Sequence, residues 1–307
     1  MDEWWKPLLE PDGLLIRERV LAEVDPDALL VALRSCRLRR VQRGIYMPRN
    51  IDAPPLTIAR AAILSSAVPR AVASHDTAAR IHGIAVPETG RREHVTVPGD
   101  VRKRDRRELV FHNRALELGD VEVRQGIPVT TVPRTLADLA ADRERLSAVW
   151  ALDDAFRRGL CPPHRVEQAI ARWRGGTGCV RAKAVFACSD GRAESILETA
   201  ARLTLADAGL PLPRTQFEVF GADGRLIARL DGAFPEERVG LEFDGRSVHS
   251  APEALFRDRT RQNDLVELGW VLLRFTWWDV VDQPKGFVES VSRTVGARRG
   301  TGVHLGR

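Results

Sequence analysis

From residue 193 to residue 275 the hydrophobic period switches repeatedly between helix-like and strand-like, with turn residues at each switch. Ile196, Leu197, Ala200, Leu203 and Leu205 recur at helical spacing, and this predicts a helix over 193–209. Gly209 ends it, and Pro211 and Pro213 block continuation. Residues 216–220 and 226–233 read as strands around the hairpin signal Asp223-Gly224, and 239–243 as a third strand after Pro235-Glu236-Glu237. A helix over 252–268 ends at Gly269, and 270–275 is a β-branched and aromatic strand. The order α-β-β-β-α-β predicts an α/β layer.

Acidic residues fall at the ends of these strands. Asp231 ends the 226–230 run, and Glu242 and Asp244 flank Phe243. Period-two alternation puts Glu242 and Asp244 on one strand face, and Asp231 on the neighbouring antiparallel strand reaches the same face. Crowding carboxylates without a cation is costly. Mg²⁺ would compensate, because it takes hard oxygen ligands and keeps sites for water and phosphate. The spacing alone equally allows surface pairing with Arg229, Arg238 or Arg246.

The amino-terminal part has another rhythm. Apolar residues at helical spacing from Leu14 to Val24 predict one helix. Asp25-Pro26 starts a second, and two short β-like runs surround Gln42-Arg43. Helix, helix, two-stranded wing is the order of a winged helix-turn-helix. Arg34, Arg37, Arg39, Arg40 and Arg43 sit where phosphate contacts would be made. The alternative is a small helical domain with a basic rim. Residues 1–188 carry 31 Lys+Arg against 24 Asp+Glu, whereas 189–307 carry 16 against 18, so the positive charge that favours a polyanion lies in the first part. Between them, residues 57–66, 74–79, 135–139 and 146–156 read as helical, and 94–97 and 109–112 as strands. The basic run Arg102 to Arg107 between those strands reads as a solvated loop, with phosphate contact as the alternative. His75, His82, His94 and His112 show no HxxxH or HExxH spacing and read as capping or packed residues. Trp277 and Trp278 read as caps on the core at the sheet edge.

These patterns predict an α/β (α+β) chain with a winged-helix domain at 1–52, an α/β domain at 53–188, an α-β-β-β-α-β domain at 189–295 and a flexible tail at 296–307. No apolar run approaches the ~20 residues of a bilayer span. The acidic start lacks the basic and apolar regions of a secretory signal. The four cysteines form no CxxC pair, which disfavours a zinc ribbon and a disulfide scaffold. A cytoplasmic protein with no membrane partner is expected.

Residues 190–282 resemble the very-short-patch-repair-type endonucleases and their relatives in the PD-(D/E)xK superfamily. The resemblance rests on Glu194, on Asp231, on Leu241-Glu242-Phe243-Asp244-Gly245 with His249 beyond it, on Asp258, Arg261 and Asp264, and on Gly269-Trp270-Val271-Leu272-Leu273-Arg274-Phe275. Residues 8–188 resemble, more loosely, AbiEi-type antitoxin proteins through Val41-Gln42-Arg43-Gly44-Ile45-Tyr46 and Val132-Pro133-Arg134-Thr135-Leu136-Ala137-Asp138. The first resemblance implies a restriction-endonuclease-like fold and phosphodiester cleavage of DNA with Mg²⁺ or Mn²⁺. Asp231 would be the central ligand, with Glu242 or the Phe243 carbonyl as the second. Glu194 would orient water, and His249 would act as acid or base. The superfamily lysine falls at Asp244, which would serve as base or ligand but supplies no positive charge; Arg261 would supply it. The alternative is a DNA-binding transcriptional regulator, antitoxin-like, with an inactive nuclease fold and a protein partner from a toxin–antitoxin-like operon.

Overall fold

The computed structural model describes residues 3–87, 92–173, 176–244 and 252–300. The chain is a mixed α+β protein, as its patterning predicts, and divides into two compact units. Met1–Arg143 with Leu160–Phe186 form the first, and Glu144–Gly159 with Ala187–Arg307 the second. No described helix is long and apolar enough to cross a membrane.

The first unit begins with β1 (Leu15–Ile16), α1 (Arg17–Glu23), α2 (Pro26–Arg34), β2 (Leu38–Gln42) and β3 (Ile45–Pro48). The Asp25 carboxylate caps α2 by accepting from the Asp27 N–H at 2.8 Å. Gly44, at φ +78°, turns the chain between β2 and β3. The three strands form an antiparallel sheet in the order β1-β3-β2. Leu15, Val20, Leu29, Ala32, Leu38 and Trp5 pack as its core.

The same unit continues through α3 (Pro55–Ser66), β4 (Val72–Ala73), α4 (His75–His82), β5 (Glu93–Val97), β6 (Leu109–Asn113), β7 (Val121–Arg124), β8 (Ile127–Thr130) and α5 (Val132–Asp142). These strands form a five-stranded sheet in the order β6-β5-β4-β8-β7. The basic run between β5 and β6 is irregular and exposed at Arg102, Lys103, Arg104 and Arg107. The next helix, α6 (Arg145–Arg157), belongs to the second unit, whereas α7 (Pro163–Ala171) and α8 (Cys179–Ala187) return to the first up to Phe186.

The second unit has the expected order: α9 (Ile196–Asp207), β9 (Arg214–Phe220), β10 (Leu226–Phe234), β11 (Val239–Asp244), α10 (Pro252–Glu267) and β12 (Val271–Thr276), followed by α11 (Pro284–Gly300). The sheet order is β12-β11-β10-β9. β9, β10 and β11 are antiparallel neighbours, while β11 and β12 run parallel, with α10 in the connection that a parallel pair requires. One apolar layer joins Leu197 and Leu205 of α9 to Leu241, Phe275 and Phe287. The other joins Val219 and Leu230 to Leu265, Trp270 and Leu272. A Cβ on Gly240 would lie 2.7 Å from Leu272 Cδ2 and 2.8 Å from Leu230 Cδ1, so this strand position holds only glycine without repacking.

Four expectations change. The helix expected from 193 begins at Ile196, because Ser195 caps it by accepting from the Glu198 N–H at 3.2 Å. The tail expected to be flexible from 296 is helical to Gly300, with Arg298 Nε donating to the Glu237 carbonyl (3.0 Å) and Arg299 Nε to Glu237 Oε1 (2.6 Å). Residues 301–307 lie outside the described residues. The helix at 146–156, expected in the middle domain, packs with the carboxy-terminal unit through Asp153. Of the two tryptophans read as core caps, Trp277 packs against the α9–α11 layer and Trp278 is exposed.

Asp153 is fully buried. It accepts from the N–H groups of Asp190 (2.8 Å) and Gly191 (3.1 Å), the Thr199 hydroxyl (2.9 Å) and Arg202 Nη2 (2.9 Å). Removing one partner of a buried ion pair strands the other charge. Asp153→Ala is therefore expected to lower the unfolding free energy of the second unit by about 3–5 kcal/mol, read from the urea midpoint. A loss below ~1 kcal/mol would show that α6 is only loosely attached.

Candidate functional site

The expected acidic site forms around Asp231, with a different membership. Asp231 Oδ2 accepts the Phe243 backbone N–H at 2.8 Å, which ties β10 to β11. Gln216, in β9 at φ +53°, donates its side-chain amide to Glu198 Oε2 (2.8 Å) and reaches Asp231 Oδ1 at 3.5 Å. The buried Glu198 also accepts the Glu194 backbone N–H at 3.0 Å. The Asp231 carboxyl is pushed up to about 6, first by burial and then by the charges of Glu198 and Glu242; the Phe243 and Gln216 hydrogen bonds oppose the shift. Glu198 and Gln216 were missed in the sequence. Glu198 lies one helical turn beyond Glu194, and only the cap at Ser195 decides which of the two glutamates is inside the helix.

Glu194 is not in this group. It precedes the helix, and its carboxylate forms a two-pronged pair with Arg229, at 2.9 and 2.8 Å. Glu242 is buried and engaged on both oxygens, by Arg261 Nη1 at 2.7 Å and Arg274 Nε at 2.9 Å. Arg261 thus does reach the site from α10, as its candidacy requires, but as the partner of Glu242. Asp244 is exposed at the end of β11, beside Thr276 in register. Phe243 lies between them, opposite Phe275. His249 lies outside the described residues.

A divalent cation fits part of this arrangement. Among the described residues, Asp231 and Glu198 form no ion pair, and the Gln216 amide bridges them. Glu242, expected as a ligand, already has two guanidinium partners and needs no cation. This corrects the expected convergence of Glu194, Asp231 and Glu242 on one ion. Among the described residues, the metal-capable side chains whose ligand atoms all lie within 4.8 Å of one another are instead His75, His94 and His112.

The amino-terminal arginines divide as well. Arg34 and Arg43 are exposed, at the end of α2 and at the β2–β3 turn. Arg37 donates to Ser35 Oγ at 3.1 Å and lies over the Trp5 ring. Arg39 donates to the Ile51 carbonyl at 3.2 Å, and Arg40 pairs with Glu108. Gln42 Nε2 also donates to the Glu108 carbonyl, at 3.3 Å, so the wing strand abuts the end of the exposed basic run 102–107. The outward face of α2 includes Asp27, Leu30, Val31 and Arg34.

An acid whose pKa is higher folded than unfolded opposes folding once it ionises. The sign follows: no penalty exists below pH ~4, it grows between the unfolded 3.8 and the folded value of about 6, and it is constant above. Asp231→Asn is expected to stabilise the second unit at pH 7.5 by about 1–2 kcal/mol, after a discount for partial exposure, and to leave it unchanged at pH 4. Thermal unfolding at the two pH values checks this.

No known family profile matches the chain. Two curated proteins from strains of Mycobacterium tuberculosis, "Uncharacterized protein MT2308" and "Uncharacterized protein Rv2248", are each 33% identical to it over 273 residues, covering 89% of this chain and 97% of theirs. Among solved structures, the RV2827C protein from Mycobacterium tuberculosis aligns with a TM-score of 0.41 and 16% identity, covering 68% of this chain and 83% of that one. At that distance the likeness fixes neither fold nor function.

Proposed function

Because the chain belongs to the family of the Mycobacterium tuberculosis proteins MT2308 and Rv2248, whose names assign no activity, we propose from its own geometry that it is a DNA-binding protein of the winged-helix kind. The observation that carries this reading is the topology of residues 15–48. Two helices are inserted between β1 and β2, and the strands return in the order β1-β3-β2. In a winged helix this arrangement presents the second helix to the major groove and the hairpin to the flanking phosphates. Arg34, Arg43 and the exposed run 102–107 supply positive charge, and Leu30 and Val31 offer apolar contact to thymine methyl groups. A regulator of this kind, acting with a protein from its own operon, is the biological form that the antitoxin-like resemblance suggests.

The test is binding to duplex DNA, followed by fluorescence anisotropy across a salt series. Each lost phosphate contact lowers the slope of log K against log salt by about 0.9, so Arg34→Ala/Arg43→Ala is expected to lower it by about 2. Asp231→Asn should leave binding unchanged. An unaltered slope in the double variant would remove the wing from the interface.

A second reading adds cleavage, and the raised Asp231 carboxyl beside Glu198 favours it. Asp231 and Glu198 would hold Mg²⁺ or Mn²⁺, which would supply a Lewis acid for phosphodiester hydrolysis. Asp231 would position the ion, Gln216 would orient the two carboxylates, and Arg261 would offer positive charge near the phosphate if it exchanged Glu242 for substrate. Plasmid nicking that requires the metal, stops with chelator and falls at least ~100-fold in Asp231→Asn is the expected result for a nuclease. Equal conversion by the variant would leave DNA binding without cleavage.

A further inference from the structure

Away from the acidic site, three histidines from three elements of the first unit meet. His75 begins α4, His94 lies in β5 and His112 in β6. In the parallel β5–β6 register His112 stands opposite Thr96, two residues along from His94, so the two histidines share a sheet face. The His75 and His112 rings stack with centroids 3.4 Å apart, and the His94 ring lies 5.2 Å from that of His112.

Each imidazole has one ring nitrogen at a carboxylate. His75 Nε2 is 3.0 Å from Asp142 Oδ2, His112 Nδ1 is 3.5 Å from the same oxygen, and His94 Nε2 is 3.5 Å from Asp76 Oδ2. The remaining nitrogens of His94 and His112, Nδ1 and Nε2, face each other at 2.9 Å. His75 Nδ1 lies 3.0 Å from Ser74 Oγ. With His94 Nε2 and His112 Nδ1 turned toward carboxylates, the two inner nitrogens converge on one point. A ring N–H of one donating to the other satisfies this approach in the absence of a ligand, and a metal ion bound by both lone pairs satisfies it equally.

A metal ion binds the neutral imidazole, and outer-nitrogen hydrogen bonds to carboxylates are what orient metal-binding histidines. Backbone strain adds an independent observation. His75 is held at φ +48°, a left-handed conformation that costs energy in a bulky residue, and it is almost completely buried. His112 and Asp142 also line a cavity of about 570 Å³ together with Arg114, Arg134, Arg172 and Trp173.

We propose that His75, His94 and His112 bind one divalent transition-metal ion of the Zn²⁺ class, with Asp142 orienting two of the three imidazoles. Three nitrogen ligands suit such ions, and Mg²⁺, which takes oxygen, is excluded by the same donor set. A tetrahedral ion with bonds of ~2.0–2.1 Å separates its nitrogen ligands by roughly 3.3 Å. The facing pair therefore needs to open by a few tenths of an ångström, and the His75 ring, stacked on His112 with its plane 13° away, needs to turn until its in-plane lone pair points at the ion. The ligand atoms of the three residues, within 4.8 Å of one another, need to draw in around the ion.

The experiment uses the full chain, free of any histidine tag and stripped with EDTA. Zn²⁺ is titrated in competition with a chromogenic chelator, and Co²⁺ is added separately to read its visible ligand-field absorption. The expected result is one equivalent of Zn²⁺, the Co²⁺ spectrum of a nitrogen-rich four-coordinate site, and a rise in Tm with Zn²⁺ but not with Mg²⁺. His94→Gln and His112→Gln should each weaken Zn²⁺ at least ~100-fold, and Asp142→Asn about 10–100-fold. His164→Gln, in exposed sequence on α7, should change nothing. Absence of stoichiometric Zn²⁺ binding by the unaltered chain would overturn the proposal whatever the variants do. So would unweakened binding in a folded His94→Gln/His112→Gln double variant.

Discussion

Burying a carboxylate in this protein depends on placing a guanidinium beside it. Arg134, 1% exposed, donates its Nε to Asp138 (3.1 Å) and its Nη1 to Asp120 (2.7 Å). Arg202 does the same for Asp153, and Arg261 with Arg274 for Glu242. Arginine suits this role because its planar fork offers several donors and keeps its charge when desolvated. The chain has 43 arginines and 4 lysines, so most of its positive charge comes in that form. Even so, burial outweighs the pairing at Asp138, whose carboxyl is raised to about 6 despite Arg134 and Arg114.

Against that background, two places stand out among the described residues. Asp231 has a backbone N–H and an amide as partners, with two more carboxylates near it. The histidine cluster has carboxylates on its outer side and facing nitrogens within. Local rules that hold elsewhere in a chain tend to fail where a ligand is to be accommodated. Here the failures are opposite in kind. One place gathers hard oxygen donors and the other imidazole nitrogens, so the ions proposed for the two sites would be of different kinds.

The carboxy-terminal element order was legible because each switch in hydrophobic period carries its own punctuation, from Gly209 and Pro211 through Asp223-Gly224 to Gly269. Which glutamate faces the site was not, since Glu194 and Glu198 share one helical stripe and a single serine hydroxyl sets the start of α9. The basic cluster at 34–43 was visible as composition. That Arg39 answers the Ile51 carbonyl while Arg43 remains exposed depends on the hairpin's register, which charge counting does not contain. The histidines escaped notice for a related reason. A spacing motif detects ligands on one helix, whereas these come from one helix start and two strands brought together by the sheet. His82 behaves as read, packed with its Nε2 on the Thr130 carbonyl at 2.7 Å.

The excursion of α6 makes the two units inseparable by any single cut in the chain. The polypeptide enters the second unit at Glu144, leaves it after Gly159, and returns at Ala187. A fragment starting at the apparent boundary near 188 would carry α9 without the helix that α9 packs on, leaving Thr199 and Arg202 without the carboxylate they bind. The first unit, cut at the same place, would keep α6 with Asp153 and nothing to bury it. Shuffling of these modules between genes by simple end-to-end fusion would therefore yield halves that each lack a piece, and inheritance of the pair as one block is the route that the threading of the chain permits.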